Sequence, residues 1–568
     1  MFASILSAPP SLSPSLGAAD PRNLASLDGY GTVSPVAAPN EDVFAPELVI
    51  AFVAPTGLSF EDIAAAAKAF LSYYRYDVEL VRLSEFLEER AELTPEERRL
   101  VDTRVRKLQD EGNQLRRDAS RGDALAFVAV NEIRELRKKR WESVSEDDRP
   151  YLEDNETYSD IPHQRVAYLV WSLKHADEVD TLRNVYRSRF VLVSLYAPRS
   201  ERERRLAARI AESHAGSLKL EEHEIAARRL IDRDQAEPDD VEARELGQDV
   251  RDTYPKADFF VDASSRARLE TSMKRTIDIL FGTPFETPSR DEYGMYFAHA
   301  AELRSAELGR QVGAAICTPE GSIVAAGTNE VPSPRGGEYW AEDVDIDHRQ
   351  FQMSGDISDQ LKQELAAQVL ERVQPFLSGA DAPKTGEEMY ELLATTGLRD
   401  LIEYGRAVHA ELAAIADAAL RGVPILGTTM YVTTFPCHHC ARHIVAAGIR
   451  RVVYIYPYAK SLAHSLHGDA VVVEPQDSDG VKVSFEPFLG VAPRQYSNFF
   501  TMGRRKDSRG RRVEPLDPNR TPRLVEEERT GVWNVDAYIQ RERYAARDSE
   551  SFLATPMSEN TDEEDRDE

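Results

Sequence analysis

Two short motifs, His-x-Glu and Pro-Cys-x-x-Cys, constrain this chain more than any other feature of its sequence. They contribute one imidazole, one carboxylate and two thiols, from His409, Glu411, Cys437 and Cys440. A catalytic zinc ion takes three protein ligands and keeps a fourth position for water. His409, Cys437 and Cys440 supply that count, which leaves Glu411 free for proton transfer. We therefore predict that the two motifs meet in the fold around one catalytic Zn²⁺ per chain.

The residues around the motifs predict strands and helices that carry the four side chains. His409 opens an alanine-rich run that favours a helix ending at Gly422, and His409 and Glu411 are therefore expected on the first helical turn. A strand at 429–434 leads through Pro436, the expected first helical residue, into a helix that carries both thiols. A second strand at 451–456 follows, so this unit is predicted to be strand, helix, strand with parallel strands.

Other interpretations of the same cysteines were weighed against the catalytic zinc. A Cys-x-x-Cys pair alone is also typical of a redox site or of half a structural zinc site. A redox pair leaves His409 and Glu411 unexplained, and a structural zinc needs a fourth ligand, so the catalytic metal is favoured. His438 and His439, between the thiols, are expected to point away from it. Cys317 is expected to be a small buried apolar residue.

The length of 568 residues exceeds what one core accommodates, so we predict an α/β protein with two folded domains and tails. Residues 1–44 are predicted to be a disordered tail. Residues 45–285 are predicted to form a P-loop-like domain with a parallel sheet covered on both faces. A second domain with three α/β/α layers, which carries the candidate metal ligands, is predicted at 286–500, with a helical insertion at 341–406. Residues 501–568 form an extension that ends in an acidic tail.

The loop after the first predicted strand resembles a phosphate-binding loop without its lysine. The five strands expected in this domain are 48–54, 78–81, 166–170, 190–195 and 259–261. Thr56, Gly57 and Ser59 lie in the loop, and amides at the following helix start can hold an anion. A working phosphate loop also needs a lysine that reaches the terminal phosphates. Retained nucleotide binding and a purely structural role both stay open, and efficient ATP hydrolysis is not expected.

Charge and composition limit the partners. The formal net charge of −28 opposes binding along a nucleic-acid backbone and favours a small nucleotide. The basic cluster formed by Arg134 and residues 137–140 is a candidate phosphate or RNA contact, although a solvated helix face is the simpler interpretation. Three cysteines give no disulfide framework and suggest a reducing cytoplasm. No run is apolar enough to predict a membrane span.

His-x-Glu followed by Pro-Cys-x-x-Cys is the signature of the zinc-dependent nucleobase deaminases, and the chain resembles that superfamily. The strand at 311–315 and the Gly-x-Asn-x-x-Pro loop at 327–332 are similar to those of deoxycytidylate deaminases. In that family the loop asparagine faces the nucleotide sugar. The resemblance therefore implies that Asn329 binds substrate, and the alternative is an asparagine in a surface turn.

From Asp291 to about Tyr496, apart from the helical insertion, the chain resembles the deoxycytidylate deaminases. A longer resemblance, which covers most of the chain except its tails, is to the bacterial anti-phage dCTP deaminases, which fuse a P-loop-like domain to a deaminase domain. The helical insertion and the segments 457–462 and 487–494 carry this longer resemblance. It implies hydrolytic deamination of dCTP, and often of dCMP, to the deoxyuridine nucleotide. This reaction depletes dCTP when phage infects. In some systems of this family a small RNA holds the enzyme inactive. A homo-oligomer is also expected.

The implied mechanism uses zinc to activate water for attack on cytosine C4, while Glu411 transfers protons to N3 and to the departing amine. Candidate phosphate contacts are Arg310, Lys460 and Arg494, with His464 and His467 as further candidates. Two other functions stay open. One is a cytidine deaminase acting on RNA or single-stranded DNA, and the other is a non-catalytic nucleotide sensor.

Overall fold

The computed structural model describes residues 45–152, 156–215, 220–235, 247–334, 336–343, 345–353, 355–377, 382–394, 396, 398, 404–457, 461–475, 480–501, 503, 505–514, 517–523 and 536–553. The N-terminal tail predicted to be disordered, the acidic C-terminal end and Lys460 lie outside these residues. Parts of the predicted insertion at 341–406 lie outside them as well.

The first half of the chain builds a mainly parallel sheet. Its strands are β1 (Leu48–Val53), β2 (Asp77–Arg82), β3 (Val166–Trp171), β4 (Phe190–Tyr196) and β5 (Phe259–Asp262), joined by β12 (Gly490–Val491). Their order is β12-β5-β4-β1-β3-β2, and only β12 runs antiparallel to its neighbour. Strands β1, β3, β4 and β5 are buried almost throughout, as their continuous apolar sequences require in a sheet covered on both faces. The five predicted strands are therefore confirmed.

The second sheet holds the strands next to the two motifs. It contains β6 (Gly313–Cys317), β7 (Ile323–Thr328), β8 (Thr429–Thr434), β9 (Arg451–Tyr456), β10 (Val471–Val473) and β11 (Val483–Pro487). The order is β10-β11-β9-β8-β6-β7, with β6 antiparallel to both β7 and β8. Strands β8 and β9 are parallel. The predicted parallel unit and the α/β class are thus confirmed.

The helices pack around these sheets. They are α1 (Phe60–Tyr73), α2 (Leu83–Arg90), α3 (Pro95–Arg99), α4 (Val101–Ala119), α5 (Ala124–Glu142), α6 (Ala176–Tyr186), α7 (Arg199–Ser213), α8 (Leu220–Gln235), α9 (Val250–Thr253), α10 (Arg266–Leu280), α11 (Arg290–Glu302), α12 (Ile357–Val373), α13 (Gly386–Ala394), α14 (Ala410–Arg421), α15 (His438–Ala446), α16 (Ala463–His467), α17 (Tyr496–Phe500) and α18 (Asp536–Leu553). Among the described residues, none of these helices combines the length and the apolar character needed to cross a membrane.

The two sheets are joined by the segment that follows β11. Strand β12 adds to the edge of the first sheet by pairing with β5. The carboxylate of Glu292 accepts a hydrogen bond of 2.8 Å from the Val491 amide and is also bound by the Arg275 guanidinium. Because Glu292 is fully buried, this ion pair fixes the start of α11 against the first sheet. Helix α11, which precedes the second sheet in the chain, and strand β12, which follows it, are therefore both held at the edge of the first sheet.

The C-terminal helix α18, which we did not predict, is anchored by one residue of the basic cluster. Arg137 is fully buried and binds the carboxylates of Glu47 and Glu542. Arg134 pairs with Asp160. The solvated-face interpretation is therefore wrong for Arg137, because its charge is balanced inside the core. Removing one partner of such a buried network typically costs about 3–5 kcal/mol.

Candidate metal centre and active site

His409 lies immediately before α14 and is held there by close packing of that helix on the second sheet. A side-chain carbon added at Gly327 of β7 would stand 2.2 Å from the Ala410 carbonyl oxygen, so only glycine allows this approach. His409 is the N-cap residue, and its side chain makes no capping hydrogen bond. The imidazole is thus free to bind a metal rather than the helix amides. The helix ends at Gly422 in the left-handed conformation, as the sequence predicted.

The two thiols lie at the start of α15. Cys437 is the N-cap, and its Sγ accepts a hydrogen bond of 3.4 Å from the Cys440 amide. Pro436 was predicted to be the first helical residue, and this is wrong by two positions because the Cys437 sulfur takes the capping role. Amides and the helix dipole at this end favour negative charge on sulfur.

The three candidate ligands converge. Their ligand atoms all lie within 4.8 Å of one another. The His409 Nδ1 atom lies 3.4 Å from the Cys437 sulfur and 3.5 Å from the Cys440 sulfur. A tetrahedral zinc with ordinary Zn–S and Zn–N bonds separates a sulfur from a nitrogen ligand by about 3.5 Å. The residues therefore fit a zinc ion in both donor type and spacing.

The protons of this cluster are shared unevenly. A hydrogen bond with Cys440 lowers the pKa of Cys437 to about 3, and contact with His409 acts in the same direction. The hydrogen bond with Cys437 raises the pKa of His409 to about 9. The pKa of Cys440 is raised well above its usual range by Cys437 and by burial. Metal binding must therefore displace protons from His409 and Cys440.

Glu411 stands beside this cluster without belonging to it. Its side chain lies in the first turn of α14 and is 3% exposed. Burial raises the pKa of the Glu411 carboxyl, although the neighbouring His409 opposes the shift. The metal-capable group of the described residues comprises His409, Cys437 and Cys440 only. Glu411 is thus a buried carboxyl next to the candidate metal, a suitable position for proton transfer.

Asn329 borders the segment that carries His409. Its Nδ2 donates a hydrogen bond of 2.9 Å to the Arg310 carbonyl oxygen, and its buried Oδ1 has no partner among the described residues. The next residue, Glu330, pairs through its backbone with Val408. An acceptor left unpaired in this position can receive a hydroxyl from a ligand, because buried polar atoms are normally satisfied.

Sequence reasoning missed two acids at this edge. The buried Glu330 carboxylate accepts hydrogen bonds of 2.9 Å from the Ala306 and Val331 amides and so fixes the Asn329 loop. Glu307 has a buried Oε2 without a partner among the described residues, and burial raises its pKa. Glu330 occupies a variable position of the Gly-x-Asn-x-x-Pro loop and Glu307 belongs to no motif, so their roles depend on which loops meet in the fold.

The candidate phosphate contacts have different environments. Arg310 is exposed, and its charge and that of Arg494 act on Tyr456 at the end of β9. Arg494 also forms an ion pair of 3.0 Å with the buried Asp258. His464 is exposed on α16. His467 contacts a backbone oxygen, that of His438, at 3.2 Å.

The remaining histidines and the third cysteine lie outside the metal group. The rings of His438 and His439 contact each other at a tilt of 50°, with centroids 4.6 Å apart. Cys317 is buried and free, and burial raises its pKa to about 12. That environment matches the prediction of a small apolar residue.

The loop after β1 is closed by other parts of the same chain. The Thr56 amide donates a hydrogen bond of 2.6 Å to the Asp234 carboxylate, which also binds the Lys174 ammonium at 2.8 Å. Gly57 has a φ of +106°, and a side-chain carbon there would lie 2.8 Å from the Arg202 carbonyl oxygen. Ser59 caps α1 by accepting from the Asp62 amide. Asp234 and Lys174 were not foreseen, because they come from distant segments.

Comparison with known proteins points to the region that carries the metal group. Residues 288–456 match the family model of the cytidine and deoxycytidylate deaminase zinc-binding region. The deoxycytidylate deaminase of Enterobacteria phage T2 is 50% identical over 54 residues, which are 10% of this chain and 29% of that protein. ComE operon protein 2 of Bacillus subtilis (strain 168) is 42% identical over 62 residues, 10% and 33% of the two chains. Human deoxycytidylate deaminase is 40% identical over 53 residues, 9% and 29%.

The similarity is therefore local. The matched segments span about a third or less of these relatives. Among solved structures, the dCMP deaminase of cyanophage S-TIM5 in its apo form aligns with a TM-score of 0.20 at 17% identity, over 36% of this chain and 100% of that one. The match to the deaminase zinc-binding family model thus covers residues 288–456 of the 568 residues of the chain.

Proposed function

We propose that this protein catalyses the hydrolytic deamination of free deoxycytidine nucleotides, with dCTP as the main substrate and dCMP as a second one. The observation that carries the proposal is the convergence of His409, Cys437 and Cys440 beside the buried carboxyl of Glu411. Three ligands with an adjacent acid are what hydrolytic deamination of a nucleobase requires. The local similarity to deoxycytidylate deaminases supports the same chemistry.

Each residue has a defined task in this reaction. His409, Cys437 and Cys440 would hold one zinc ion, which supplies activation of water and stabilisation of negative charge. Glu411 accepts a proton from the attacking water and delivers it to cytosine N3. It then takes the proton of the hydroxyl group added at C4 and transfers it to the amino group as the C4–N bond breaks. C4 becomes a carbonyl, so that one water is consumed and ammonia is released.

Substrate selection is assigned to the edge of the site. The unpaired Oδ1 of Asn329 is an acceptor for a sugar hydroxyl. A site that pairs specific polar groups rejects an analogue that leaves them unpaired. Arg310 and Lys460 are proposed phosphate contacts, together with Arg494 in so far as its pair with Asp258 allows. The acidic chain disfavours a polynucleotide substrate.

The biological setting is inferred from the resemblance to the anti-phage dCTP deaminases. We propose that deamination depletes dCTP during phage infection, in the cytoplasm, by a homo-oligomer that a small RNA can restrain. We also propose that the chain is organised as a P-loop-like domain at 45–285 and a deaminase domain at 286–500. Two separate sheets in these ranges, apart from β12, support that division.

The decisive experiment compares substrates at equal concentration. Purified full-length protein is incubated with dCTP, dCMP, CTP, cytidine and a single-stranded oligonucleotide, and the uracil products are quantified by mass spectrometry. The Glu411→Gln protein serves as the matched control. We expect dCTP or dCMP to be converted best. Faster conversion of the oligonucleotide would favour a polynucleotide deaminase, and no conversion of any compound would favour a nucleotide sensor.

A further inference from the structure

A cavity of about 540 Å³ lies between the two sheets, apart from the metal group. Its walls come from both halves of the chain. The first half contributes Tyr196, Arg202 and Tyr254, and the second contributes Phe435, Tyr454 and Glu474. Ligand sites in proteins have volumes of about 300–1,000 Å³, mainly apolar and aromatic walls and a few polar groups, and they often lie where two folded units meet. This cavity has each of those properties.

The first sign of an anionic ligand is the charge of Arg202. This residue is only 6% exposed, yet its guanidinium bonds two backbone oxygens, those of Ala197 at 3.2 Å and Thr56 at 3.3 Å. No carboxylate of the described residues forms an ion pair with it. Burial lowers the pKa of Arg202, and the more distant Asp234 and Glu474 attract it. A guanidinium has five N–H donors, so three of them remain for a ligand.

The second sign is one buried hydroxyl without a partner, beside a residue with strained backbone, in an aromatic wall. The Tyr254 hydroxyl is buried and has no hydrogen-bond partner among the described residues. Glu474 adopts a φ of +49°, which is strained for a residue with a side chain. Its carboxyl lies near the Tyr454 hydroxyl, and burial raises its pKa. Strained backbone and unpaired buried atoms are concentrated at binding sites.

We propose that this cavity is a second ligand site and that it binds a nucleoside phosphate. The aromatic rings of Tyr196, Tyr254 and Tyr454 provide surfaces for a base, because aromatic side chains stack on bases with little dependence on sequence. Arg202 and the neighbouring Arg251 provide donors for phosphate, which planar guanidinium groups bind well. Glu474 provides an acceptor or donor for the polar edge of the base.

The metal ligands do not line this site, which includes His464, a candidate phosphate contact of the deaminase reaction. The existence of the site does not depend on the proposed function. Pro55, in the loop after β1, and Phe435, in the loop after β8, both line the cavity. Phe435 packs edge-on against Tyr454, with centroids 4.8 Å apart, two residues before Cys437.

The test measures binding to the full-length protein by isothermal titration. The probes are AMP, GMP and UMP, each compared with its nucleoside, and cytosine compounds are omitted because the proposed active site would bind them. At least one monophosphate should bind at one site per chain, about 10- to 100-fold more tightly than its nucleoside. One charge-assisted hydrogen bond to phosphate supplies that difference. The absence of phosphate-dependent binding for all three probes would overturn the proposal.

Variants locate the site. Val473→Trp fills the cavity and should abolish binding of nucleotide and nucleoside alike, whereas Arg251→Gln should remove about tenfold of the preference for phosphate. Arg209→Gln is the matched control, because Arg209 is exposed and lines the separate crevice beside Gly57. Thermal unfolding checks that each variant is folded, and Tyr254→Phe, which removes one unpaired hydroxyl, replaces Val473→Trp if the latter is not. Binding that survives the cavity variants and is lost in Arg209→Gln would assign the ligand to the crevice instead.

Discussion

The loop after β1 and the loop after β8 share a local design but differ in what occupies them. Each follows a buried strand and leads into a helix that is capped by a loop side chain, Ser59 in the first loop and Cys437 in the second. In the first loop, the Asp234 carboxylate takes the Thr56 amide that an anionic ligand would need. In the second loop, two thiols meet an imidazole at a spacing that fits zinc. In the first loop, a carboxylate of the same chain already binds the backbone amide. In the second loop, the side chains are spaced to bind a metal ion.

The difference shows that a strand–loop–helix pattern predicts geometry and that the residues facing the loop decide its chemistry. In the second loop the chemistry can be predicted from the motif residues alone. Cysteine and histidine, at Cys437, Cys440 and His409, are residue types with a narrow range of roles. In the first loop the deciding residue is Asp234, which lies 178 residues from Thr56 along the chain. Four predictions test whether the two loops differ in this way.

The largest effect is expected at the second loop, from Cys437→Ala. The variant should lose both bound zinc and deaminase activity, because a site with two protein ligands no longer holds the ion. Zinc per chain is measured by atomic emission, and activity is measured with dCTP. Cys317→Ala removes another buried thiol and is the matched control, for which zinc and activity should be unchanged. Retention of one zinc per chain in Cys437→Ala would contradict the assignment.

The second prediction separates proton transfer from metal binding. Glu411→Gln should keep about one zinc per chain and lose activity by about 10²–10⁴-fold, the usual contribution of general acid–base catalysis. Asp417→Asn, on the same helix but more exposed, is the control and should retain activity. If Glu411→Gln lost its zinc, Glu411 would be a ligand and our division of roles would be wrong.

The sequence predicted the residues of the metal group more completely than it predicted the elements of the fold. Apolar runs predicted five strands of the first sheet and β6, β8 and β9 of the second, because buried strands need continuous apolar sequence. Strands β10 and β11 were not predicted. Motif chemistry predicted His409, Glu411, Cys437 and Cys440. Strand β12 and helix α18 were missed, because they are defined by partners far along the chain: β12 by β5, and α18 by Arg137 through Glu542.

The same reason explains the missed site residues. Glu330, Asp234 and Lys174 act through contacts between distant loops, and no local periodicity marks a contact of that kind. Arg494 shows the converse limit, since its residue type suited a phosphate while Asp258 was already its partner. A charged side chain is predictable as charged, but its partner depends on the tertiary structure.

The third prediction tests whether the first loop is closed by Asp234. Asp234→Ala leaves the Thr56 amide without an acceptor and the Lys174 ammonium without its carboxylate partner, with only the Ala54 carbonyl still bound to it. This loss should lower the free energy of unfolding by about 1–3 kcal/mol. Adding Lys174→Met should recover part of that loss, because the unpaired charge is then removed. The midpoint of denaturant unfolding measures both effects. Zinc content and deaminase activity should not change, and an unaltered unfolding midpoint would mean that Asp234 contributes nothing to the loop.

The smallest effect is expected from Ser59→Ala. In a working phosphate loop this hydroxyl binds magnesium, so its loss abolishes nucleotide hydrolysis. Here Ser59 caps α1, so its removal should lower the free energy of unfolding by about 1 kcal/mol, typical for a lost N-cap. Because the loop lacks its lysine and Asp234 occupies the Thr56 amide, wild-type protein and variant should both release phosphate from ATP or GTP at the background rate. Measurable hydrolysis by the wild type that disappears in Ser59→Ala would show that the loop acts on nucleotide phosphates. The two loops would then differ in their ligands, and the first could no longer be described as closed.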